Sequence, residues 1–420
     1  MNRPDNDAPP NAAPDALAAA GSIASSLTDP QIAWKSTPPP GGRAWPQSLA
    51  GGAAGIALLH IEQARSGQGD WNIAHNWLSV ATSGELTGAA NAGLFFGAPA
   101  LAFAVHAAAD RPGRYERALR ALDASTTTLT RRRLDHAHAR IDRGDRPELA
   151  EFDLIRGLAG LGAYHLRRHP DDDITTAVVS YLVRLTEPLP GHADDLPSWW
   201  TNLAPNGAVS PDFPGGHGNL GMSHGIGSVL ALLSLTLLHQ LPVPGAADAV
   251  ERICAWTDAW LRLEKDAAWW PGFITIDQVH AQQIESSLRP RPSWCYGIAG
   301  TARAQQLAGL ATGNTARQQV AENAMLATLR HDQQLDRLDG IELCHGTAGL
   351  LQAAWRMAND SHDPQIGAEL PRLAARLIAQ LPKVGSDPEL LDGAAGAALA
   401  LHTIGTDAAA SGWDTLLLLA

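Results

Sequence analysis

Two cysteines and two histidines stand directly before glycine-rich steps in the second half of the chain. Cys295 lies in the motif Trp-Cys-Tyr-Gly, Cys344 and His345 lie in Leu-Cys-His-Gly, and His224 lies in Met-Ser-His-Gly. Thiolates and imidazoles are good zinc ligands, and a zinc ion with three protein ligands keeps a fourth position open for chemistry. The motifs therefore predict a zinc site formed by Cys295, Cys344 and His345.

These motifs belong to a longer series of glycine repeats. A Gly-x-x-Gly or similar small-residue step, followed by an apolar run, occurs seven times at intervals of roughly 45 to 72 residues, which is typical of repeat architectures. Segments with helical periodicity and more charge, such as 246–265 and 315–332, lie between the steps. Each repeat is thus predicted to contain one apolar and one amphipathic helix. The steps begin at Gly52, Gly97, Gly157, Gly225, Gly297, Gly346 and Gly393.

Seven apolar helices can bury their surfaces together as an inner ring that the amphipathic helices surround. The sequence therefore predicts an all-α fold, an α/α toroid of seven inner and seven outer helices. Small residues in the first turn of each inner helix would let neighbouring backbones approach closely. Residues 41–420 are predicted to form this barrel, and residues 1–40, rich in Ala, Pro, Asn and Asp, a flexible arm. The long loops 189–220 and 269–292 are predicted to be lids or binding loops.

Parallel inner helices would bring all their N-termini to one rim of the barrel. The two cysteines lie two positions before the first glycine of their repeats, and Asp153 lies four positions before Gly157. Helix N-termini favour thiolates. A convergent set of reactive side chains is expected there, and the first two repeats contribute none of it. The residues directly before each first glycine are Gly51, Phe96, Arg156, His224, Tyr296, His345 and Asp392.

Several of these polar residues have simpler, purely structural explanations. Asp153 could cap the inner helix of the third repeat, and Asp392 is expected to be a cap rather than a catalytic group. His224 could be a buried, hydrogen-bonded histidine. Arg291 and Tyr296 could be ordinary loop or rim residues.

The bulk composition excludes several classes of protein. A formal net charge of -12 over 420 residues argues against nucleic acid or an anionic membrane as the main partner. The three widely spaced cysteines form no disulfide framework and suit a reducing compartment. No signal peptide or membrane-spanning run is evident, so a cytoplasmic location is expected.

Cys254, in the apolar stripe of an outer helix, is predicted to be a core residue. His217 is predicted to be a surface or loop residue.

The motifs resemble the signature of the lanthionine synthetase C-like family. The matching stretches are Asn219-Leu-Gly-Met-Ser-His-Gly, Trp294-Cys-Tyr-Gly and Cys344-His-Gly. Phe152-Asp153 before Gly157 also matches, as does Arg291 four residues ahead of the first motif cysteine. The resemblance runs from about residue 48 to the C-terminus, and the family's double ring of seven inner and seven outer helices agrees with the repeats.

Within that family, the Trp-Cys-Tyr-Gly variant looks most like the stand-alone cyclases of class I lantibiotic biosynthesis. One position departs from the pattern, because Gly227 stands where family members often have a proline. This departure concerns the geometry of the rim and leaves the expected metal ligands in place.

The resemblance implies a zinc enzyme that closes thioether rings in a dehydrated precursor peptide, made of a leader and a core. A substrate cysteine thiol would add to a dehydroalanine or dehydrobutyrine that a separate dehydratase has made. The sequence leaves open whether the enzyme acts alone or in a complex with dehydratase and transporter. His224 would be the general acid, and Asp153 would orient it or help remove the thiol proton. Arg291 and Tyr296 would stabilise the enolate oxygen.

Two alternatives to a cyclase remain open at this point. One is another α/α-barrel zinc enzyme that alkylates thiols, such as a protein prenyltransferase, although those enzymes use a carboxylate among their zinc ligands. The other is a non-cyclising member of the same family that binds glutathione or a modified peptide, or adds glutathione to dehydro residues.

The acidic net charge and the tryptophan pairs at 199–200 and 269–270 suit an extended peptide that lies over the barrel mouth.

Overall fold

The computed structural model describes residues 12–35, 46–192, 195–264, 267–381 and 387–420. Eighteen α-helices dominate this part of the chain, with four three-residue strands and short 3-10 turns at Ser286–Leu288 and Trp413–Leu417. The helices are α1 (Ala12–Ser26), α2 (Pro30–Lys35), α3 (Ala53–Arg65), α4 (Trp71–Ala81), α5 (Ala98–Ala108), α6 (Glu116–Asp142), α7 (Leu149–Phe152), α8 (Leu158–Arg168), α9 (Asp173–Leu185), α10 (Ile226–Leu238), α11 (Ala246–Ala259), α12 (Ile276–Ala281), α13 (Ile298–Thr312), α14 (Thr315–Leu329), α15 (Asp332–Leu335), α16 (Thr347–Asp360), α17 (Gln365–Gln380) and α18 (Ala394–Thr406). The strands are β1 (His217–Asn219), β2 (Arg262–Glu264), β3 (Ala267–Trp269) and β4 (Phe273–Thr275).

The seven helices that follow the glycine steps form a closed inner ring. They are almost entirely buried, each packs against the next, and α18 returns to contact α3. The more polar helices α4, α6, α9, α11, α14 and α17 lie outside this ring, each packed against the inner helix that precedes it in the chain. This arrangement confirms the predicted all-α toroid. The inner helices are α3, α5, α8, α10, α13, α16 and α18.

The seventh outer helix is α1, which packs along α18 and α17. Ala16, Ala20 and Ala24 recur every four residues and are buried, so they form a narrow stripe that lets α1 approach α18 closely. Past its end, the Leu27 carbonyl accepts a hydrogen bond from the Trp77 indole at 2.8 Å. The flexible arm predicted for residues 1–40 is therefore wrong for residues 12–35, where the alanines that suggested disorder form a packing face. Residues 1–11 and 36–40 lie outside the described residues.

The glycine steps allow each inner helix to begin directly against the loop that precedes it. A Cβ atom added at Gly55 or at Gly349 would lie 2.1 or 2.0 Å from a backbone carbonyl oxygen of that loop, which is far inside van der Waals contact. The N-cap residue Gly225 has the same extended conformation as its counterpart Gly346, with φ of -126° and -107°. Gly227, where family members often have a proline, therefore does not change how α10 begins.

Hydrogen bonds between the loops before neighbouring inner helices run around the rim, and we call them the rim belt. Six joints are backbone hydrogen bonds. At the joint between the second and third repeats, the Arg133 guanidinium from α6 bonds to the carbonyls of Ala90 and Ala92 on one side and of Arg156 on the other. The backbone donors and acceptors are Leu49 and Phe95, Leu154 and Ser223, Met222 and Cys295, Cys295 and Cys344, Cys344 and Leu391, and Leu391 and Ala50, at 2.8 to 3.3 Å.

The two long loops join each other through the antiparallel pairing of β1 with β4. His217 in β1 is fully buried, and its Nδ1 hydrogen-bonds to the Leu203 carbonyl at 2.7 Å, so the prediction of a surface or loop histidine was wrong. The tryptophans at positions 199, 200, 269 and 270 are also buried, so they support the loops from within and offer no exposed platform for a peptide. None of the helices in the described part of the chain is long and apolar enough to cross a membrane.

Candidate metal centre and active site

The rim belt brings the two motif cysteines side by side. The backbone N–H of Cys295 donates to the Cys344 carbonyl at 3.1 Å, and the two thiols hydrogen-bond to each other. The hydrogen bond from Cys344 lowers the pKa of Cys295 to about 6, against the opposing effect of burial, and Ser293 and the nearby charge of His345 lower it further. The same hydrogen bond and burial raise the pKa of Cys344.

An imidazole and a carboxylate complete this group of donors. The ligand atoms of Cys344, His345 and Asp392 all lie within 4.8 Å of one another, and His345 Nδ1 is 3.5 Å from Asp392 Oδ1. A thiol, an imidazole and a carboxylate are donors of the kinds that zinc takes, namely Cys, His and Asp or Glu. The structure thus places Asp392 with Cys344 and His345, whereas Cys295, predicted as the third ligand, lies outside this group of three.

Asp392 was expected to be a helix cap, but the N-cap residue of α18 is Gly393, and the Asp392 carboxylate faces His345. A carboxylate beside a ligating histidine commonly orients the ring. The available signal was positional, because Asp392 stands directly before its repeat glycine, as His345 does. The cysteine assigned to the core, Cys254, is indeed buried in α11, and burial raises its pKa to about 11.

Asp153 and His224 form a second polar unit, contributed by the third and fourth repeats. One carboxylate oxygen of Asp153 accepts hydrogen bonds from the backbone N–H groups of Arg156 and Gly157, at 2.6 and 2.7 Å. The other lies 2.6 Å from His224 Nδ1. Asp153 is fully buried, whereas the His224 side chain remains 30% exposed. Asp153 therefore caps the turn before its inner helix with one carboxylate oxygen and binds His224 with the other.

Arg291 and Tyr296 flank the cysteines. Arg291 is exposed, and its positive charge helps to lower the pKa of Cys295. The Tyr296 ring packs against the backbone at Gly221, where an added Cβ would lie 2.7 Å from the ring. Burial raises the pKa of Tyr296, and Asn219 Nδ2 lies 3.5 Å from its hydroxyl. Both residues thus stand at the same rim as the thiols.

The remaining part of the rim is apolar and contains a cavity of about 380 Å³, which we call the rim pocket. Its lining comes from the first, second, third and seventh repeats and includes Phe95, Phe96, Ile155 and Leu391. Four polar residues also belong to its lining, namely Asn91, Arg156, Glu389 and Asp392. Sequence analysis noted that the first two repeats lack reactive groups but did not foresee a cavity there.

Comparisons with known proteins agree with this architecture. Residues 43–418 match the model of a family described as "Lanthionine synthetase C-like protein". Among solved structures, nisin cyclase matches with a TM-score of 0.79 and 20% sequence identity, over 95% of this chain and 97% of that chain. At this identity the likeness shows a shared fold. None of the curated proteins compared with the chain matches it.

Proposed function

Because the chain belongs to the lanthionine synthetase C-like family, we propose that it is a zinc-dependent lanthipeptide cyclase of the class I type. The reaction adds a cysteine thiol of a dehydrated precursor peptide to a dehydroalanine or dehydrobutyrine of the same peptide. An S–H bond breaks, a C–S bond forms, and the α-carbon of the dehydro residue gains a proton. The observation that carries the proposal is the convergence of two thiols, an imidazole and an Asp–His pair at one rim.

Cys295, Cys344 and His345 are the proposed zinc ligands, and Asp392 is proposed to orient His345. Bound zinc would act as a Lewis acid that lowers the pKa of the substrate thiol, so that sulfur attacks as a thiolate. The donor set supports this role, since the backbones of the two cysteines are hydrogen-bonded to each other and the neighbouring thiol of Cys344 lowers the pKa of Cys295. The rim belt supports it too, because it fixes the backbones that bear both sulfurs.

His224 is the proposed general acid for the proton that the α-carbon gains. Its Nδ1 hydrogen-bonds to Asp153, which leaves Nε2 for exchange with the substrate. The buried carboxylate holds the ring in one orientation, as the aspartate of a catalytic triad does for its histidine. Asp153 is itself held by two backbone N–H groups, so the pair needs no rearrangement before the proton is transferred.

Attack on the dehydro residue places negative charge on its carbonyl oxygen. Arg291 and Tyr296 are proposed to stabilise this charge, Arg291 as an exposed cation beside Cys295 and Tyr296 as a hydroxyl donor. Groups that are fixed in place before the charge develops are effective because they need no reorganisation. The packing of Tyr296 against Gly221 and the contact of its hydroxyl with Asn219 support such a fixed position.

We also propose that the partners are a precursor peptide with leader and core, and a dehydratase and a transporter with which the chain forms a complex. Its three cysteines are free, and this suits the reducing cytoplasm as the site of action.

Two measurements on one preparation test the proposal. We expect about one zinc per chain in the wild type and almost none in Cys344→Ala, since zinc needs its thiolate ligands. With a dehydrated peptide that contains one cysteine, the zinc-loaded wild type should consume the free thiol and Cys344→Ala should not. Cys254→Ala is the matched control, because it removes a thiol from the core and should leave both results unchanged.

The alternative family role is tested in the same assay by adding glutathione. A cyclase should form the intramolecular thioether with glutathione present, whereas an enzyme that adds glutathione should give a product heavier by one glutathione. A folded wild type that takes up no zinc, or that leaves every peptide thiol free, would overturn the cyclase proposal.

A further inference from the structure

We propose that the rim pocket is a substrate subsite that binds an apolar side chain next to the dehydro residue. This inference rests on the proposed function and deepens it, because it assigns peptide preference to the half of the rim that has no reactive groups. The subsite would make the enzyme select the position of the ring by the residue that flanks the electrophile.

The position of the pocket is the first argument. Its lining includes Asp392, which lies 3.5 Å from His345. It also includes Arg156, whose Nε lies 3.9 Å from the Asp153 carboxylate. The pocket therefore adjoins both the metal centre and the Asp153–His224 pair, within reach of the residues that flank a bound dehydro residue.

The chemistry of the lining is the second argument. The aromatic rings of Phe95 and Phe96, together with Ile155 and Leu391, face a cavity whose volume lies at the lower end of small-ligand sites, which occupy about 300–1,000 Å³. A space of this size suits one or two side chains rather than a folded segment. Burying an apolar side chain against these four residues is favourable, whereas an amide placed against them would lose its hydration.

A second groove gives the chain a way out of the pocket. This groove, of about 590 Å³, lies over α6 and α7 and shares Asn91 and Arg156 with the rim pocket. It is polar, with Arg146 and Glu148 among its lining residues. An extended peptide can thus place an apolar side chain in the rim pocket and continue over Arg156 into a polar channel.

Binding of two unreactive peptides to the zinc-loaded wild type tests the subsite without requiring turnover. The probes are labelled Gly-Gly-Leu-Ser-Leu-Gly-Gly-Cys and its counterpart with both leucines replaced by asparagine, where serine stands for the dehydro residue. We expect the leucine peptide to bind about tenfold more tightly or better, as burial of one or two leucine side chains predicts. Fluorescence anisotropy gives both dissociation constants.

Two variants locate the effect. Phe96→Asn makes the lining polar and Ala50→Trp fills the cavity, so each should bring the ratio of the two dissociation constants close to one. Either variant suffices if the other does not fold. Leu238→Asn is the matched control, since Leu238 is 42% exposed at the last residue of α10, away from the rim, and the ratio should remain as in the wild type.

The outcomes separate the two proposals. A wild type that binds both peptides equally, or binds neither, overturns the subsite, as does a ratio that survives in both variants. Zinc content and thiol consumption are measured independently of this ratio, so a cyclase without the subsite and a subsite on a protein that is not a cyclase give different results.

Discussion

The rim of the barrel has two parts that share one hydrogen-bonded belt and differ in their side chains. In repeats three to seven, which we call the catalytic arc, the positions before the glycines hold Asp153, His224, Cys295 and their neighbours. In repeats one and two, the apolar arc, equivalent positions hold Gly51 and Phe96. The first repeat starts its inner helix as the catalytic arc does, whereas in the second Gly97 has a positive φ of 77° and Ala100 replaces the second glycine. The rim belt runs through both arcs.

This difference shows that the residues that build the frame of the barrel are distinct from the residues that bring reactive groups to its rim. Close contact of each inner helix with its preceding loop depends on the glycines, whereas the reactive groups depend on one or two positions per repeat. The frame holds a side chain at such a position in a defined place at the mouth of the barrel. The apolar arc shows that the frame persists where the reactive groups are absent.

The largest predicted effect compares the residue directly before the first glycine in the two arcs. We expect His224→Ala to lower the rate of thiol consumption by about 10²–10⁴-fold, as for loss of a general acid, with zinc content unchanged. Phe96→Ala should act mainly on KM, because Phe96 touches no reacting group. Steady-state kinetics beside metal analysis provide the check. Equal losses in kcat for both variants would contradict the division of the rim.

The frame itself should be equally sensitive in both arcs. Gly55→Ala in the first repeat and Gly349→Ala in the sixth would each place a Cβ about 2 Å from a carbonyl oxygen. We expect each to lower the free energy of unfolding by about 1–3 kcal/mol or more through overpacking. Denaturant titration measures both losses, and a much smaller loss at Gly55 would show that the apolar arc does not share the frame.

A smaller predicted effect is the pH dependence of stability that comes from the histidines buried inside the barrel. His60 in α3 and His165 in α8 are buried, and burial lowers the pKa of each to about 4 from 6.5. Between these values the unfolded chain binds more protons than the folded one, so this contribution to stability is present above pH 6.5 and is lost as the pH falls toward 4.

From pH 7 to pH 5 the expected loss is about 1–2 kcal/mol per histidine in the free energy of unfolding. Denaturant titration at the two pH values measures it. The double variant His60→Gln, His165→Gln should lose correspondingly less on acidification. If it loses as much as the wild type, the pH dependence originates elsewhere.

The smallest predicted effect is a gain in stability. Gly21 lies inside α1, and an added Cβ would meet no atom within 4 Å. Gly21→Ala should therefore raise the free energy of unfolding by about 0.5–1 kcal/mol, which is the helix preference of alanine over glycine. A flexible arm would show no gain. The melting temperature of the variant thus tests whether α1 is the seventh outer helix in solution.

Much of this arrangement was predictable because a repeat converts sequence position into spatial position. The seven glycine steps predicted the inner ring, and equal placement before the glycine predicted that Cys295 and Cys344 would be neighbours. Asp153 was foreseen both as a cap and as the partner of His224. Asp153 fulfils both roles, because one of its carboxylate oxygens accepts hydrogen bonds from backbone N–H groups and the other binds His224.

What the sequence could not supply was the packing between elements that are distant along the chain. The alanine stripe of α1 has meaning only against α18, and composition alone suggested disorder. His217 and the tryptophan pairs were interpreted as loop residues, yet all of them are buried, His217 in the pairing of β1 with β4 and Trp269 in the pairing of β2 with β3. The rim pocket is likewise a space between four repeats, so no single sequence motif could predict it.

The rim belt has a consequence for how the molecule opens. Local unfolding usually begins at a free end or at a weakly bonded segment and spreads from there. A closed ring of hydrogen bonds offers no free end, so the amides of Cys295, Cys344 and Met222 should exchange with solvent among the slowest in the chain. The joint closed by Arg133 depends on a side chain, which can swing away without disturbing any helix. Breathing of the barrel should therefore start between the second and third repeats, at the edge of the rim pocket.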